Sequence, residues 1–349
     1  MTAKPPQSMS MGLAGGVLAL LVLGTASTRA EDSMFRETVR REAMSTEFVF
    51  TLLADPEEFD PEDVLGIIEM AFKEVRELEA RVSRWIPHSQ TSYINNRAAA
   101  GPVKVAGDIV DLLQYAKDVS AETGGAFDVT VGPLIELWGF YREEGKIPAD
   151  PDLAGALAKV GMDKVVLDRP ERTVAFTDEG VRLDFGGIGK GLALDVAVQV
   201  LRNYGITAAV LHAGTSTVAA IGNPPGEPGW TVRIRNPYNK EDRIEEILIS
   251  DEFLSTSGSY EKFFELQGKE YCHIFDPRTG RPVEGMLSAT AIAPSGMQSD
   301  ALSTAFFVLG PEKTAAYCRA HPEVRAIVVP VADPDKLAPK RINFPTKKE

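Results

Sequence analysis

Helix patterns and strand patterns follow one another along this chain without a regular alternation. Apolar residues recur at helical spacing over residues 64–82 and 109–119, and strand-like alternation covers residues 47–52. Between residues 181 and 330 the predicted strands and helices are intermixed. A doubly wound sheet needs a strict strand–helix–strand repeat, so this order favours an α+β fold with mixed sheets.

Composition and charge narrow the classes of partner. The 349 residues carry a formal net charge of −13, and 44% of them are hydrophobic, which is ordinary for a globular protein. Because an acidic surface repels a phosphate backbone, we expect no nucleic-acid partner. Two cysteines exclude a Cys-rich zinc module. Cys272 and Cys318 could form one bridge, although unpaired buried cysteines are common.

Residues 1–30 have the pattern of an export signal. Lys4 precedes an apolar run over residues 12–26, and small residues lead to Ala30. The alternative is a membrane anchor, but a run of about fifteen residues is too short to span a bilayer. We therefore expect an exported, periplasmic or otherwise extracytoplasmic protein that is soluble after cleavage. The run contains no cysteine for lipid attachment.

The rest of the chain is predicted to be one domain with two flanks. Residues 31–42 are charged and predict a mobile leader, and residues 332–349 predict a Pro- and Lys-rich tail. Residues 43–331 form the predicted domain. Its segment 144–182 is rich in charge, Gly and Pro, which is typical of a crossing between two lobes.

The glycine-rich segment 183–191 is the first candidate for chemistry. It predicts a strand, a tight turn and a helix start, where backbone N–H groups and the helix dipole attract anions. Its spacing matches neither G-x-G-x-x-G nor a P-loop. By its spacing alone, the segment slightly favours the alternative of a structural turn that carries a solvated Lys190.

Two more candidates contain oxygen ligands and an imidazole. Asp300 and Thr304 lie four residues apart in a predicted helix, so both side chains share a face and would suit Mg²⁺ or Ca²⁺. Alternatively, Asp300 caps the helix and Thr304 bonds back to a carbonyl. His273 precedes the turn 276–280 and could act as a general base, although a lone histidine is more often structural.

A fourth candidate covers residues 124–140, where small residues lie beside aromatic ones. This pattern could frame a flat ring, or it could form a buried turn with core aromatics.

In this order the segments resemble the ApbE-type family of FAD:protein FMN transferases. The resemblance extends from about Met44 to Gly310. The matching segments are Met44-Ser45-Thr46, Gly125-Ala126-Phe127-Asp128 with Thr130-Val131-Gly132-Pro133, Gly186-Gly187-Ile188-Gly189-Lys190-Gly191, Ser255-Thr256-Ser257-Gly258, His273-Ile274 with Asp276-Pro277-Arg278-Thr279-Gly280, and Asp300-Ala301-Leu302-Ser303-Thr304-Ala305.

This resemblance implies a two-lobed α+β fold with FAD in a deep cleft between the lobes. The implied reaction transfers FMN from FAD to a threonine hydroxyl of an exported acceptor protein and releases AMP, with Mg²⁺ as the usual metal. Acceptors of the family carry a short motif around the threonine and often belong to respiratory membrane complexes. Two alternatives stay open: an FAD pyrophosphatase that produces free FMN and AMP, and a non-catalytic exported FAD carrier.

The resemblance also implies roles for the matched residues. His273 would accept the proton of the attacking threonine, while Asp300 and Thr304 would complete the catalytic set. The implied metal ligands are the main-chain oxygen of Gly189, Asp300, the Ser303 carbonyl and Thr304. The implied flavin-binding residues are Met44, Trp85, Ala126, Phe127, Asp128, Gly186, Lys190, His273 and Ile274. The sequence departs from the family at two places. At Gly214-Thr215-Ser216 the family often has an acidic or amide residue in the third position, and at Gly189 alanine is common.

Overall fold

The computed structural model describes residues 34–140, 145–239, 241–266, 268–332 and 337–345. The predicted export signal lies outside these residues. Within them, we find no helix with the length and apolar character needed to cross a membrane.

The helices are α1 (Pro61–Val82), α2 (Gln90–Arg97), α3 (Gly107–Glu122), α4 (Gly132–Leu137), α5 (Asp150–Leu157), α6 (Gly189–Asn203) and α7 (Gly296–Ala320). The strands are β1 (Phe35–Ala43), β2 (Thr46–Ala54), β3 (Val103–Lys104), β4 (Val165–Asp168), β5 (Thr173–Phe176), β6 (Ala208–Ala213), β7 (Thr217–Ile221), β8 (Trp230–Arg235), β9 (Arg243–Ile249), β10 (Phe253–Gly258), β11 (Phe263–Leu266), β12 (Lys269–Cys272), β13 (Phe275–Asp276), β14 (Arg281–Pro282), β15 (Met286–Ala293), β16 (Arg325–Pro330) and β17 (Lys340–Ile342).

Eight strands form the main sheet in the order β1-β2-β6-β7-β10-β15-β16-β17. Every neighbouring pair in it is antiparallel. The α+β prediction is confirmed, but the prediction of mixed sheets is wrong for the described strands. Tight turns join β1 to β2 and β6 to β7, and such turns allow only antiparallel pairing. A single parallel bridge, between Val131 and Arg182, lies outside the named strands.

The two faces of the main sheet enclose different cores. Phe50 and Leu52 of β2 face the larger core, which includes the buried sides of α1, α6 and α7. Leu53, the next residue, faces a second core that it shares with Trp230 of the β8–β9 hairpin. A third, smaller core surrounds Trp138 and contains residues of α4, α5, β11 and β13.

Both predicted flanks contribute strands to this sheet. Residues 35–43 form β1 and pair with β2 along its whole length, so the prediction of a mobile leader is wrong there. Charged residues dominate this edge strand and concealed its pattern, since only Val39 and Ala43 are buried. In the predicted tail, β17 pairs with β16 at the opposite edge. The domain therefore extends beyond 43–331 in both directions.

Helix α7 consists of two helical parts that are divided at Gly310. Gly310 has φ 71° and ψ 179°, which interrupts α7, and Pro311 begins the second helical part. Cys272 and Cys318 are both buried and free, so they do not form a bridge.

Candidate active site

The glycine-rich segment meets Asp300 where α6 crosses α7. A Cβ atom on Gly191 would lie 1.9 Å from the Gly296 carbonyl oxygen, and a Cβ atom on Gly296 would lie 2.2 Å from the Gly191 oxygen. Only two glycines allow the helix backbones to approach this closely. At this helix crossing the Gly191 amide donates a hydrogen bond of 2.9 Å to Asp300 Oδ2.

Asp195 of α6 secures the start of α7. Its two carboxylate oxygens accept hydrogen bonds from the amides of Gly296 (2.7 Å) and Met297 (2.8 Å). The pKa of Asp195 is raised to about 6, mainly by burial; the two amide hydrogen bonds oppose the rise, and the nearby Asp300 charge contributes to it. Sequence reasoning missed Asp195. Its one signal was its position four residues after Gly191, on the same face of α6.

The turn before α6 is held by its own backbone and by Asp184. The amides of Ile188 and Gly189 donate to the Phe185 carbonyl, and the Gly186 amide donates to Asp184 Oδ1 at 2.7 Å. These amides and that of Gly191 already have protein acceptors. The predicted glycine-amide cradle for a phosphate is therefore wrong for these four amides in this arrangement. The binding of an anion by Lys190 stays a prediction.

The segment leading into this turn is extended but is not a strand of any sheet. The Asn95 side chain of α2 donates to the Leu183 carbonyl (3.0 Å) and accepts from the Leu183 amide (2.7 Å). Asp184 then donates its amide to the Val129 carbonyl at 2.7 Å. The prediction of a strand at the start of this segment is therefore wrong: the buried Asn95 side chain, which sequence reasoning did not identify, pairs with the Leu183 backbone in place of a neighbouring strand.

Asp300 and Thr304 lie on α7 beside the glycine turn, as predicted. A Cβ atom on Gly187 would lie 3.3 Å from Thr304 Oγ1 and 3.5 Å from the Phe127 ring, so the missing side chain leaves this hydroxyl accessible. The Lys190 ammonium lies 4.0 Å from Asp300 Oδ1. The structure therefore brings together five of the predicted neighbours: a carboxylate, a hydroxyl, a cation, a glycine and an aromatic ring.

These oxygen donors fit a hard divalent cation. A carboxylate, a hydroxyl and main-chain carbonyls are the ligands that Mg²⁺ and Ca²⁺ prefer. No group of three or more His, Cys, Asp or Glu residues suited to a metal occurs in the part of the chain that the structure describes. The fit therefore depends on Asp300 and Thr304 together with carbonyl oxygens. The Ser303 hydroxyl donates to the Asp300 carbonyl at 2.9 Å, which is compatible with the predicted use of the Ser303 carbonyl alone.

His273 follows β12 and is held in one tautomer. The Lys262 carbonyl lies 3.0 Å from both its backbone nitrogen and its Nδ1 atom. A carbonyl only accepts hydrogen bonds, so Nδ1 carries the proton and Nε2 carries the lone pair of the neutral ring. The pKa of His273 is lowered to about 4, mainly by burial; the hydrogen bond to Lys262 opposes the lowering, and the charges of Lys262 and Lys190 contribute to it. The ring is thus neutral at pH 7 and ready to accept a proton.

The remaining predicted flavin residues occupy varied environments. Met44 lies in the β1–β2 turn with φ 51°, an uncommon conformation for this residue type. Trp85 is 60% exposed, and the Arg84 guanidinium lies 5.4 Å from its ring centroid. Ala126 and Ile274 are buried.

Asp128 has a set of protein partners that the sequence did not predict. Its Oδ1 atom accepts from the amide (2.7 Å) and hydroxyl (2.6 Å) of Thr130, and Oδ2 accepts from the Met162 amide at 3.1 Å. Burial raises the pKa of this carboxyl. These bonds connect the turn after α3 to the loop before β4. A contact between Asp128 and flavin stays a prediction.

Comparison with known proteins decides the family. The sequence profile described as "ApbE family" matches residues 44–328. The chain belongs to the ApbE family.

Named relatives of this family are similar over much of the chain. The "FAD:protein FMN transferase" of Klebsiella pneumoniae is 33% identical over 244 residues, 68% of this chain and 69% of that one. Its namesake in Escherichia coli K12 is 33% identical over 231 residues, 64% of this chain and 66% of that one. The chain thus spans about two thirds of the length of these relatives. The Treponema pallidum protein of the same name is 32% identical over 283 residues, 76% of this chain and 78% of that one.

Solved ApbE structures share the fold. The ApbE protein of Thermotoga maritima superimposes with a TM-score of 0.79 at 29% identity, over 88% of this chain and 97% of that one. The apo form of the Pseudomonas stutzeri flavinyl transferase ApbE gives 0.77 at 25% identity, over 89% and 95%.

The two departures from the ApbE pattern have different structural consequences. Gly214 has φ 62°, and a Cβ atom there would lie 2.6 Å from Thr46 Oγ1, so this glycine packs against the turn that contains Met44. No atom lies within 4 Å of the position that a Cβ atom on Gly189 would occupy. The alanine common among ApbE proteins would therefore fit at Gly189.

Proposed function

We propose that this protein transfers FMN from FAD to a threonine hydroxyl of an acceptor protein and releases AMP. The observation that carries the proposal is the group formed by Lys190, Asp300 and Thr304 at the helix crossing, within electrostatic reach of a neutral His273. The threonine oxygen attacks the phosphorus on the FMN side of the pyrophosphate. A new P–O bond forms, the bond to the bridging oxygen breaks, and AMP leaves with that oxygen.

His273 accepts the proton of the attacking threonine. Its Nε2 lone pair is available because the Lys262 carbonyl fixes the proton on Nδ1. General-base assistance of this kind contributes typically about 10²- to 10⁴-fold to a rate. The threonine becomes a stronger nucleophile as its proton moves to Nε2.

Lys190 and the ligand oxygens prepare the site for the charge of the pyrophosphate. The Lys190 ammonium is 27% exposed in its side chain and can turn from Asp300 toward a phosphate oxygen. Asp300, Thr304 and the carbonyls of Gly189 and Ser303 would hold Mg²⁺, and the same oxygens would accept Ca²⁺. A bound divalent cation neutralises charge that develops on the leaving AMP.

The remaining predictions place the reaction outside the cytoplasm. The signal-like pattern of residues 1–30 supports export, and the acceptor is then an exported protein with a threonine flavinylation motif, such as a subunit of a respiratory membrane complex. The flavin lies in a cleft bordered by Met44, Trp85 and Phe127.

The test measures nucleotides with and without an acceptor. The chain without residues 1–30 is incubated with FAD and Mg²⁺, alone or with an acceptor domain that carries the threonine motif, and the nucleotides are separated by chromatography. We expect AMP only when the acceptor is present, and no AMP with Asp300→Ala. AMP and free FMN without an acceptor would identify a pyrophosphatase instead. Intact FAD throughout would favour a carrier and contradict the proposal.

A further inference from the structure

We propose that Ser257 is a positioning residue that fixes the proton of the Thr304 hydroxyl and so prepares the Thr304 oxygen to bind a cation. The inference rests on the proposed function, because it concerns the same cation site. Ser257 is the last residue but one of β10, which packs beside α7, and its Oγ atom lies 2.9 Å from Ser303 Oγ and 3.2 Å from Thr304 Oγ1.

The direction of each hydrogen bond in this chain of hydroxyls follows from its last acceptor. Ser303 Oγ lies 2.9 Å from the Asp300 carbonyl, which can only accept, so Ser303 donates its single proton there. Ser303 must then accept from Ser257, which uses the only Ser257 proton. Ser257 can therefore only accept from Thr304. The Thr304 proton consequently points toward Ser257.

This direction matters because a neutral hydroxyl binds a cation through a lone pair. A hydroxyl whose proton points into the site would repel the cation. On a helix, a threonine commonly donates instead to the carbonyl four residues earlier, which for Thr304 is that of Asp300. Ser303 already occupies this carbonyl, and Ser257 offers Thr304 another acceptor. The Thr304 oxygen thus keeps its lone pairs for the space left by Gly187.

The same strand and helix contain a matched control at Ser255, two residues before Ser257 in β10. Ser255 Oγ lies 2.9 Å from Ser299 Oγ, and Ser299 donates to the Gly296 carbonyl at 3.0 Å. This pair repeats the serine–serine–carbonyl arrangement of Ser257 and Ser303. It has no described contact with a predicted ligand. A general packing role of the β10 hydroxyls would make both positions equally sensitive.

The experiment measures cation binding directly, without the reaction. Mn²⁺ is titrated into the wild-type protein, Ser257→Ala and Ser255→Ala, and free Mn²⁺ is followed by electron paramagnetic resonance; Asp300→Asn identifies the site. Because Ser257→Ala removes one hydrogen bond, we expect it to weaken Mn²⁺ binding about two- to tenfold. Ser255→Ala should bind within about twofold of wild type, and FAD affinity should stay unchanged in both.

A second variant, Ser257→Cys, controls for the possibility that Ser257→Ala does not fold. Ser257→Cys is close in size, but its thiol is a poor acceptor, so it should also weaken Mn²⁺ binding while circular dichroism stays native. Wild-type Mn²⁺ affinity in a folded Ser257→Ala or Ser257→Cys protein would overturn the inference, as would an equal loss in Ser255→Ala. If wild type binds Mn²⁺ and Ser257→Ala weakens it, but no FMN is transferred, the proposed function fails and this inference stands.

Discussion

Replacing Gly191 by alanine tests the helix crossing that assembles the site. The new Cβ atom would lie 1.9 Å from the Gly296 carbonyl oxygen and 2.7 Å from the Asp300 Cβ atom, whereas ordinary contact begins at 3.4 Å. The helices would have to separate by about 3.4 − 1.9 = 1.5 Å at the oxygen. Because both neighbours are part of α7, no flexible side chain can relieve the clash. The Gly191–Asp300 hydrogen bond would lengthen or break.

The expected loss of stability combines three contributions. Overpacking costs about 1–3 kcal/mol, and loss of a hydrogen bond to a charged acceptor costs about 1.5–3 kcal/mol. Alanine regains about 1 kcal/mol through its higher helix propensity. We therefore expect Gly191→Ala to lower the free energy of unfolding by about 1.5–5 kcal/mol, which corresponds to a Tm lower by roughly 2–8 °C in a protein of this size.

The assay compares Gly191→Ala with Gly189→Ala by thermal circular dichroism and Mn²⁺ titration. Gly189 lies in the same helix, and its added Cβ atom would have no atom within 4 Å. Gly189→Ala should keep the wild-type Tm and Mn²⁺ affinity. Gly191→Ala should have a lower Tm and bind Mn²⁺ more weakly. A Gly191→Ala protein with wild-type Tm and Mn²⁺ binding would refute the close crossing and the placement of Asp300 that depends on it.

Four further predictions concern the base, its pKa, the cation and the segment before the glycine turn. His273→Ala should lower FMN transfer by about 10²- to 10⁴-fold yet retain FAD binding by fluorescence titration, and parallel loss of both would exclude a base. Since the His273 pKa is lowered to about 4, protonation removes its lone pair only well below pH 6. The value of kcat/KM should therefore stay constant between pH 7 and pH 6, and a decrease in kcat/KM centred near pH 6.5 would contradict this. Asp300→Ala should abolish the response of transfer to Mg²⁺, whereas an unchanged response would place the cation elsewhere. Asn95→Ala should lower the free energy of unfolding in urea by about 2–4 kcal/mol, because it leaves two buried backbone groups of Leu183 unpaired, and an unchanged value would contradict that role.

Patterns that depend on neighbouring residues could be predicted from the sequence. The helical spacing that leads to α1, the break at Gly310 and most strands of the main sheet follow from local apolar periodicity and turn residues. The pairing of Asp300 with Thr304 on one helix face also follows from spacing alone. Edge strands are harder because a strand with one neighbour and one solvated face needs few apolar residues, as β1 shows.

The supporting residues of the site could not be predicted in this way. Asn95 binds a backbone 88 positions away, Asp195 binds amides more than 100 positions away, and Ser257 binds hydroxyls more than 45 positions away. Such polar contacts have no local signature because they form only when segments far apart in the chain, such as α2 and residue 183 or β10 and α7, pack together. In the glycine turn, by contrast, the sequence predicted a property that the structure does not have. The pattern predicted free amides, but Asp184 and Phe185 accept hydrogen bonds from them.

The mass of the acceptor protein shows directly whether FMN is transferred to the threonine. The acceptor domain with the threonine motif is incubated with FAD, Mg²⁺ and either the wild-type protein or His273→Ala, and its intact mass is measured. We expect wild type to add the mass of one FMN less one water to the acceptor, on the threonine, and His273→Ala to add little or none. An acceptor of unchanged mass beside free FMN and AMP would contradict the account, because water rather than threonine would then be the nucleophile.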